Sequence, residues 1–172
     1  IKIVDMQDGE TEVAPGETGE ICVRGPQVMK GYYGKPEETA AVLKDGWFFL
    51  GDIGFLDEDG YLTVVDRKKD IIIAGGFNVY PVEIDDILMG HPQILEACTI
   101  GIGDTYRGET VRAYVVRVPG GEVTEEAIIA HCRENLAAYK IPRSIVFMEE
   151  LPKSAVGKIL RREVKRMDGS ET

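Results

Sequence analysis

The pattern of apolar and polar positions changes character near residue 66. Before that point, short runs of β-forming residues alternate with turns that pair glycine with aspartate or proline, a pattern typical of antiparallel strands. A short helix is predicted at residues 36–41, where proline lies in the first turn and glutamates follow it. Residues 1–65 are therefore predicted to form a small, mostly antiparallel β unit, with strands at Ile1–Val4, Gly19–Arg24, Trp47–Phe49 and Tyr61–Val65.

After residue 66 the pattern becomes a mixture of helix and strand periodicities. A helix is predicted to begin at Pro81 and to end at Gly90, and Thr124 is placed to cap a second helix with one apolar face. A terminal helix is predicted at Ile159–Met167. Three apolar runs read as strands of one sheet, so the second part is predicted to be a compact α+β domain of three strands and flanking helices. The predicted strands are Ile94–Ile102, Val111–Val118 and Ile145–Met148.

Composition and charge narrow the class of protein. The net charge of −10 argues against nucleic-acid binding, which requires a basic surface. With 44% hydrophobic residues and no apolar run near eighteen residues, the sequence predicts a soluble globular protein without a leader or membrane span. Three scattered cysteines match no metal-ligand spacing and no disulfide framework, which favours buried reduced thiols and a cytoplasmic protein.

The charge is unevenly distributed. Residues 1–65 carry 13 acidic and 5 basic side chains, whereas residues 153–166 carry six basic side chains and only one acidic residue, Glu163. This basic segment has two interpretations, a solvated helix face or a surface that meets an anion.

Three motifs follow one another along the chain and together indicate a family. They are Asp66–Asp70, Gly75–Pro81 and the glycine-flanked lysine segment Leu151–Ile159. In this order they resemble the C-terminal part of adenylate-forming enzymes, the acyl-CoA synthetase superfamily, and most closely its fatty-acid–CoA ligases. Residues 1–65 resemble the last β subdomain of that family's large N-terminal domain, including Gly16–Glu20 and the dipeptide Gly25-Pro26.

The resemblance predicts how the chain is divided. It implies a β-rich subdomain at 1–65, a hinge at 66–70, a mobile C-terminal domain at 71–167 and a tail at 168–172. The family's phosphate-binding loop has no counterpart here, and the chain opens at Ile1 inside a predicted strand. Both observations predict a portion of a longer enzyme.

Lys158 is the candidate catalytic residue. A lysine ammonium is a compact charge suited to a point where negative charge collects, and Gly157 beside it allows close approach and unusual backbone angles. The resemblance implies that this lysine bridges the substrate carboxylate and the α-phosphate of ATP while the acyl-adenylate forms. An exposed loop lysine without function is the alternative.

Asp52 and Arg67 are the candidate nucleotide-binding residues. A carboxylate at a strand end can accept hydrogen bonds from both hydroxyls of a ribose, and the resemblance implies that Asp52 does so, with Arg67 close by. Leu50 departs from the family pattern, which commonly has threonine there, and this weakens any adjacent hydroxyl contact. A turn aspartate is the alternative for Asp52. Lys69 occupies the hinge position, about which the C-terminal domain of the family rotates.

The resemblance also implies a coenzyme A site. Paired glycines permit close backbone approach to a ligand, and in CoA-using relatives the segment that corresponds to Gly75, Gly76 and Phe77 lines the pantetheine tunnel. A hairpin turn that leads into a helix is the alternative. Arg107 and Arg133 are candidates for the CoA phosphates, although for Arg133 an exposed helix arginine is the favoured interpretation.

The implied reaction joins a carboxylic acid to ATP, releases pyrophosphate, and transfers the acyl group to CoA with release of AMP. The resemblance implies ATP, CoA and Mg²⁺ as cofactors, with the metal ligands outside this chain and the rest of the polypeptide as the chain's partner. The chain alone is predicted to be inactive. The alternatives are an adenylation domain that loads a carrier protein, a luciferase-like oxidative enzyme, and a non-catalytic binding module that retains the fold.

Overall fold

The structure is a computed structural model that describes residues 1–170 of the 172-residue chain. The described chain separates into two compact units, Ile1–Lys69 and a second unit that begins at Asp70. A 3₁₀ turn, Lys68–Asp70, contains the point of division. Each unit contains one five-stranded sheet.

The first unit is an antiparallel sheet with one short helix. Strand order is β1-β2-β4-β3, and β5 pairs with the second half of β4. The four predicted strands and the predicted helix are confirmed, and β3 is an additional strand of two residues. The elements are β1 (Lys2–Val4), β2 (Gly19–Val23), α1 (Pro36–Val42), β3 (Leu43–Lys44), β4 (Trp47–Leu56) and β5 (Leu62–Arg67).

Strand β4 is much longer than the predicted Trp47–Phe49. Two glycines inside β4, Gly51 and Gly54, explain the difference, because glycine in a strand signals a break in the sequence but permits a bulge or a close backbone approach in the sheet. A Cβ at Gly54 would lie 2.3 Å from the carbonyl oxygen of Thr63 on β5. The register of β4 against β5 shifts between Ile53 and Gly54, as in a β-bulge.

The second unit has a five-stranded sheet, so the prediction of three strands was an undercount. The three predicted strands are present as β8, β9 and β10, and a short hairpin of two further strands, β6 and β7, extends the sheet. Three-residue strands are too short to show alternation in the sequence. The elements are β6 (Ile72–Ala74), β7 (Phe77–Val79), α2 (Pro81–Met89), β8 (Ile94–Asp104), β9 (Gly108–Arg117), α3 (Glu125–Asn135), β10 (Ser144–Met148) and α4 (Arg161–Asp168).

Helices cover both faces of this sheet. Successive residues of a strand point to opposite faces, and accordingly Ala113 and Val115 of β9 pack with helices α2 and α3, whereas Tyr114 and Val116 pack with Val164 of α4. Because both faces are buried, β8 and β9 read as nearly continuous apolar runs rather than as alternating strands. The sheet order is β10-β9-β6-β7 with β8 paired to β9, and only the β9–β10 pair is parallel.

The ends of the helices follow the local sequence. The side chain of Thr124 accepts a hydrogen bond from the amide of Ala127 at 3.3 Å, so the predicted cap of α3 is confirmed. Helix α4 begins at Arg161 rather than at Ile159 and includes Asp168, which the sequence had assigned to the tail. Residues 171–172 of that predicted tail lie outside the described residues. In residues 1–170 no helix has the length and apolar character needed to cross a membrane.

Candidate functional site

Lys158 lies in a tight hairpin, residues 153–159, which we call the Lys158 hairpin. Its two arms meet through an antiparallel bridge between Lys153 and Ile159. Within the hairpin the amide of Ser154 donates to the carbonyl of Lys158 at 2.8 Å, and the amide of Gly157 donates to the carbonyl of Ser154 at 2.9 Å. The Lys158 amide in turn donates to Ser154 Oγ at 3.2 Å. The backbone at Lys158 is thus held by its own hairpin.

Gly157 has a conformational role in this hairpin. Its φ angle is +80°, in the region that residues with a Cβ rarely adopt, while a Cβ at this position would meet nothing within 4 Å. The sequence pattern suggested room for close approach together with unusual backbone angles. The backbone angle is the feature that requires glycine here, because the space beside it is open.

The Lys158 ammonium is exposed and unpaired, unlike its basic neighbours. Within residues 1–170 it forms no ion pair or hydrogen bond. Four other basic residues of the segment 153–166 pair with carboxylates: Lys153 with Glu96, Arg161 with Asp85, Lys165 with Asp70, and Arg166 with Glu163. Lys158, unlike these four residues, therefore presents an available cation.

Asp52 and Arg67 are brought together by the sheet of the first unit. They are directly opposite one another in β4 and β5, and Arg67 Nε donates to Asp52 Oδ1 at 2.5 Å. The Asp52 side chain is 28% exposed and that of Arg67 is 52% exposed, so both remain accessible. An open recess of about 330 Å³ adjoins them, lined by Leu50, Gly51, Arg67, Lys68 and Lys69.

The 3₁₀ turn at the boundary of the units places two lysines differently. Lys68 Nζ donates to Glu20 Oε2 at 2.6 Å, and Glu20 is only 5% exposed. Lys69 is exposed, with no ion pair or hydrogen bond of its ammonium among the described residues. Lys69 is also the last residue of the first unit.

Four of the residues proposed for CoA lie together at one end of the second sheet. Gly75 and Gly76 form the two-residue turn between β6 and β7, both with positive φ, as expected for a tight hairpin. The Gly75 amide donates to the carbonyl of Arg107 at 2.9 Å, which joins this turn to the turn between β8 and β9. Phe77 follows directly and is 55% exposed.

The turn that carries Arg107 is held by a carboxylate. Asp104 Oδ1 accepts the amides of Tyr106 at 2.9 Å and Arg107 at 2.8 Å. These hydrogen bonds stabilise the ionised carboxylate and lower the pKa of Asp104 below its ordinary value. Arg133 is exposed on α3, and no contact within the described part of the chain joins it to the Gly75–Arg107 group.

Two features of the second unit were absent from the sequence predictions. Tyr139 stacks on Phe77 with ring centroids 4.6 Å apart and an interplanar angle of 21°. No signal in the sequence could have paired these rings, because Tyr139 follows a helix and lies in a segment without periodicity. The second feature is the buried ion pair between Arg161 and Asp85, whose partners are 76 residues apart.

The cysteines are buried, and the two histidines pack against each other. The three cysteines are buried and free of disulfides, as predicted, and burial raises the pKa of Cys98 to about 12 and those of Cys22 and Cys132 to about 11. His91 and His131 pack edge to face, with centroids 5.2 Å apart. No cluster of three or more histidine, cysteine, aspartate or glutamate side chains in residues 1–170 is arranged to hold a metal ion.

Comparison with known families identifies the class of protein. Residues 83–158 match the AMP-binding enzyme C-terminal domain, and residues 1–33 match the AMP-binding enzyme family. The first of these matches includes Lys158, Arg107 and Arg133, whereas neither covers Asp52, Arg67, Lys69 or the Gly75–Phe77 turn. The chain belongs to the family of AMP-binding, adenylate-forming enzymes that includes the acyl-CoA ligases.

Particular relatives narrow this class. The chain is 57% identical over 162 residues to a long-chain-fatty-acid–CoA ligase of Bacillus subtilis, covering 94% of this chain and 29% of the relative. It is 49% identical over 162 residues to a 2-succinylbenzoate–CoA ligase of Geobacillus kaustophilus, covering 94% of this chain and 33% of that relative. The crystal structure of ATP-bound MatB from Rhodopseudomonas palustris matches with a TM-score of 0.91 and 36% identity, covering 99% of this chain and 34% of MatB. The chain thus spans about a third of the length of the proteins it matches.

Proposed function

We propose that this chain is the C-terminal part of an ATP-dependent ligase that joins a carboxylic acid, of the fatty-acid class, to CoA. The observation that carries the proposal is Lys158, the basic side chain of the segment 153–166 that has no partner within the described residues and is presented by a hairpin. The Bacillus subtilis relative is a long-chain-fatty-acid–CoA ligase, which supports the fatty-acid class.

The first step would form an acyl-adenylate. A carboxylate oxygen of the acid attacks the α-phosphorus of ATP, a P–O bond forms, and pyrophosphate leaves with the electron pair of the broken P–O bond. Both reactants are anions, so a cation between them offsets their repulsion most strongly in the transition state. The exposed Lys158 ammonium would supply that charge.

Asp52 and Arg67 would hold the nucleotide. Asp52 would accept hydrogen bonds from the ribose hydroxyls, and Arg67, which already donates to Asp52 Oδ1, would keep its carboxylate oriented. The recess lined by Leu50, Gly51 and Arg67 provides space beside the pair.

The second step would form the thioester. The sulfur of CoA attacks the acyl carbonyl, a C–S bond forms, and AMP leaves with the electrons of the broken C–O bond. The Gly75–Gly76 turn and Phe77 would line the path of the pantetheine arm after rotation about the hinge at Lys69. Arg107, beside that turn, would meet a CoA phosphate, with Arg133 as a separate candidate.

The ligands of the metal and the remaining substrate contacts would lie in other parts of the enzyme. The described residues contain no carboxylate cluster suited to Mg²⁺, and its ligands would lie elsewhere in the polypeptide. This chain alone is expected to release no pyrophosphate, because Lys158 would have no bound ATP and acid on which to act.

The proposal is tested in the full-length protein that contains this chain. AMP formation is measured over short, medium, long-chain and aromatic acids, with and without CoA, for the wild type, Lys158→Ala and Arg166→Ala. We expect CoA-dependent AMP release with long-chain acids, a fall of about 10²–10³ in the adenylation rate for Lys158→Ala, and little change for Arg166→Ala, which removes an exposed cation from the same segment.

Three outcomes would contradict the proposal in different ways. Adenylation at the wild-type rate in Lys158→Ala would remove the role of that lysine. Pyrophosphate exchange without any CoA-dependent turnover would indicate an adenylation domain that loads a carrier protein. No AMP formation with any acid would favour a binding module that retains the fold.

A further inference from the structure

The Lys158 hairpin is fastened to the body of the second unit on both arms. On the first arm, Lys153 Nζ lies 2.5 Å from Glu96 Oε1 of β8. The second arm continues through Leu160, whose amide donates to the carbonyl of Pro152 at 2.8 Å, directly into α4. The first residue of that helix, Arg161, is therefore the point at which the second arm can be fixed.

Arg161 contacts helix α2, strand β8 and the start of the second unit. Its Nη2 donates to Asp85 Oδ2 of α2 at 2.6 Å, and its Nε donates to the carbonyl of Thr99 of β8 at 3.0 Å. Its Nη1 lies 3.7 Å from Asp70 Oδ2, at the start of the unit. The side chains of Arg161, Asp85 and Asp70 are only 17%, 9% and 14% exposed, so these charges are largely removed from water.

The partners of Arg161 are themselves fixed. Asp85 Oδ1 accepts the Thr99 amide at 2.6 Å, so one carboxylate ties α2, β8 and α4 together. Further along α4, Val164 is fully buried, and Asp168 accepts a hydrogen bond from Arg112 Nη1 at 2.6 Å. Arg166 differs, because it pairs with Glu163 of its own helix and its side chain is 68% exposed.

We propose that Arg161 is a positioning residue for Lys158, because its contacts with Asp85, Thr99 and Asp70 fix the second arm of the Lys158 hairpin. This inference rests on the proposed function for its catalytic consequence, but its structural consequence can be tested without it. A cation stabilises a transition state only where it is held in register with the developing charge, and a misplacement of about 1 Å can reduce the rate about 10²-fold.

The three contacts also specify why the residue is arginine. A planar guanidinium donates in several fixed directions at once, whereas an ammonium on the same stem is a single point of charge. Arg161→Lys can keep an ion pair with Asp85 or with Asp70 but cannot reproduce all three contacts. Its effect should therefore lie between those of the wild type and Arg161→Met.

The structural test uses amide hydrogen exchange in the 172-residue chain itself. The reporters are the amides of Ser154 and Gly157, which donate within the hairpin, and the amide of Leu160, which donates to the carbonyl of Pro152 at its base. The β9 amides serve as the control for folding. We expect exchange of the reporters to rise at least about tenfold in Arg161→Met, because buried hydrogen bonds to charged groups are lost, and to rise less in Arg161→Lys. Arg166→Met, the matched control on the same helix, should leave them unchanged.

The functional test measures adenylation in the full-length protein with the same variants. Arg161→Met should lower the kcat of adenylation about 10²-fold while the KM for ATP stays within about threefold, since the ribose contacts assigned to Asp52 are unaffected. Arg161→Lys should recover part of kcat, and Arg166→Met should match the wild type.

The outcomes separate this inference from the proposed function. If Arg161→Met leaves hairpin exchange unchanged, the positioning role is wrong, whatever happens to the rate. If Lys158→Ala retains full adenylation while hairpin exchange rises in Arg161→Met, the proposed function fails and the fastening of the hairpin stands. If the β9 amides of Arg161→Met lose protection, that variant is partly unfolded, and Arg161→Lys and Asp85→Asn are measured in its place. Wild-type exchange of the hairpin amides in both of these variants would overturn the inference.

Discussion

At the scale of the single residue, Asp85 combines deep burial with a charged partner. The whole residue is 7% exposed, Arg161 is the charged group that acts on it, and Asp70 shares the same guanidinium. Burial raises the pKa of Asp85 to about 6, while Arg161 acts in the opposite direction. The native state therefore binds the carboxyl proton of Asp85 more tightly than the unfolded chain does, because the ordinary pKa of 3.8 applies in the unfolded chain.

Asp85→Asn gives a prediction about stability and pH. Because the folded pKa is raised, the contribution of Asp85 is fully present below pH 3.8 and is lost as the pH rises to about 6. Asparagine does not titrate, so the stability of the wild type relative to Asp85→Asn should fall by up to about 3 kcal/mol across this range. Urea unfolding of both proteins at pH 4, 5, 6 and 7 measures this, and a constant difference would contradict it.

At the scale of the element, the Lys158 hairpin is short, irregular and held by few hydrogen bonds of its own. Its geometry depends on the left-handed backbone at Gly157 and on the side-chain oxygen of Ser154. None of its residues from Lys153 to Lys158 is fully buried. Damage to this hairpin should therefore change the position of Lys158 without unfolding the domain.

Gly157→Ala tests whether the hairpin can be altered without unfolding the domain. The new Cβ meets no atom within 4 Å, so its cost is the strain of a non-glycine residue at φ +80°, about 1–2 kcal/mol. We expect faster exchange of the amides at positions 154 and 157 and slower adenylation in the full-length protein. The free energy of unfolding of the 172-residue chain should fall by no more than that cost. An unchanged hairpin and unchanged rate would show that the glycine is dispensable.

At the scale of the whole molecule, the two units differ in how much core they contain. The two apolar clusters of the described residues belong to the second unit, one on each face of its sheet. In the first unit, strand β5 and the turn before it expose Tyr61, Leu62 and Val64. Since buried apolar area is the main source of stability, the second unit should fold without the first.

Fragments of the chain test this expectation. A fragment of residues 70–170 should unfold cooperatively and give the β8 and β9 amide chemical shifts of the 172-residue chain, whereas residues 1–69 alone should unfold at a lower urea concentration. Loss of chemical-shift dispersion in the 70–170 fragment would contradict the prediction and would mean that its core requires the first unit.

Much of this fold could be predicted from the sequence, and the failures have physical causes. The Thr124 cap and the apolar face of α3 are local signals, and both are present as expected. Strand β4 was cut short because Gly51, two residues after Phe49, reads as a break in the sequence, although in the sheet the strand continues through it to Leu56. Strands β6 and β7 were missed because three residues are too few to show a period.

The sequence by itself determined the helices, most of the strands, the order of the motifs and the family, because each of these depends on residues that are close together along the chain. The tertiary structure decided which charges meet. The pairs Asp52–Arg67 and Asp85–Arg161 join residues 15 and 76 positions apart, and strand register and helix packing select such partners from many of equal charge. The same packing pairs the basic neighbours of Lys158 with carboxylates and leaves its own ammonium exposed, a distinction that exists only once the chain is folded.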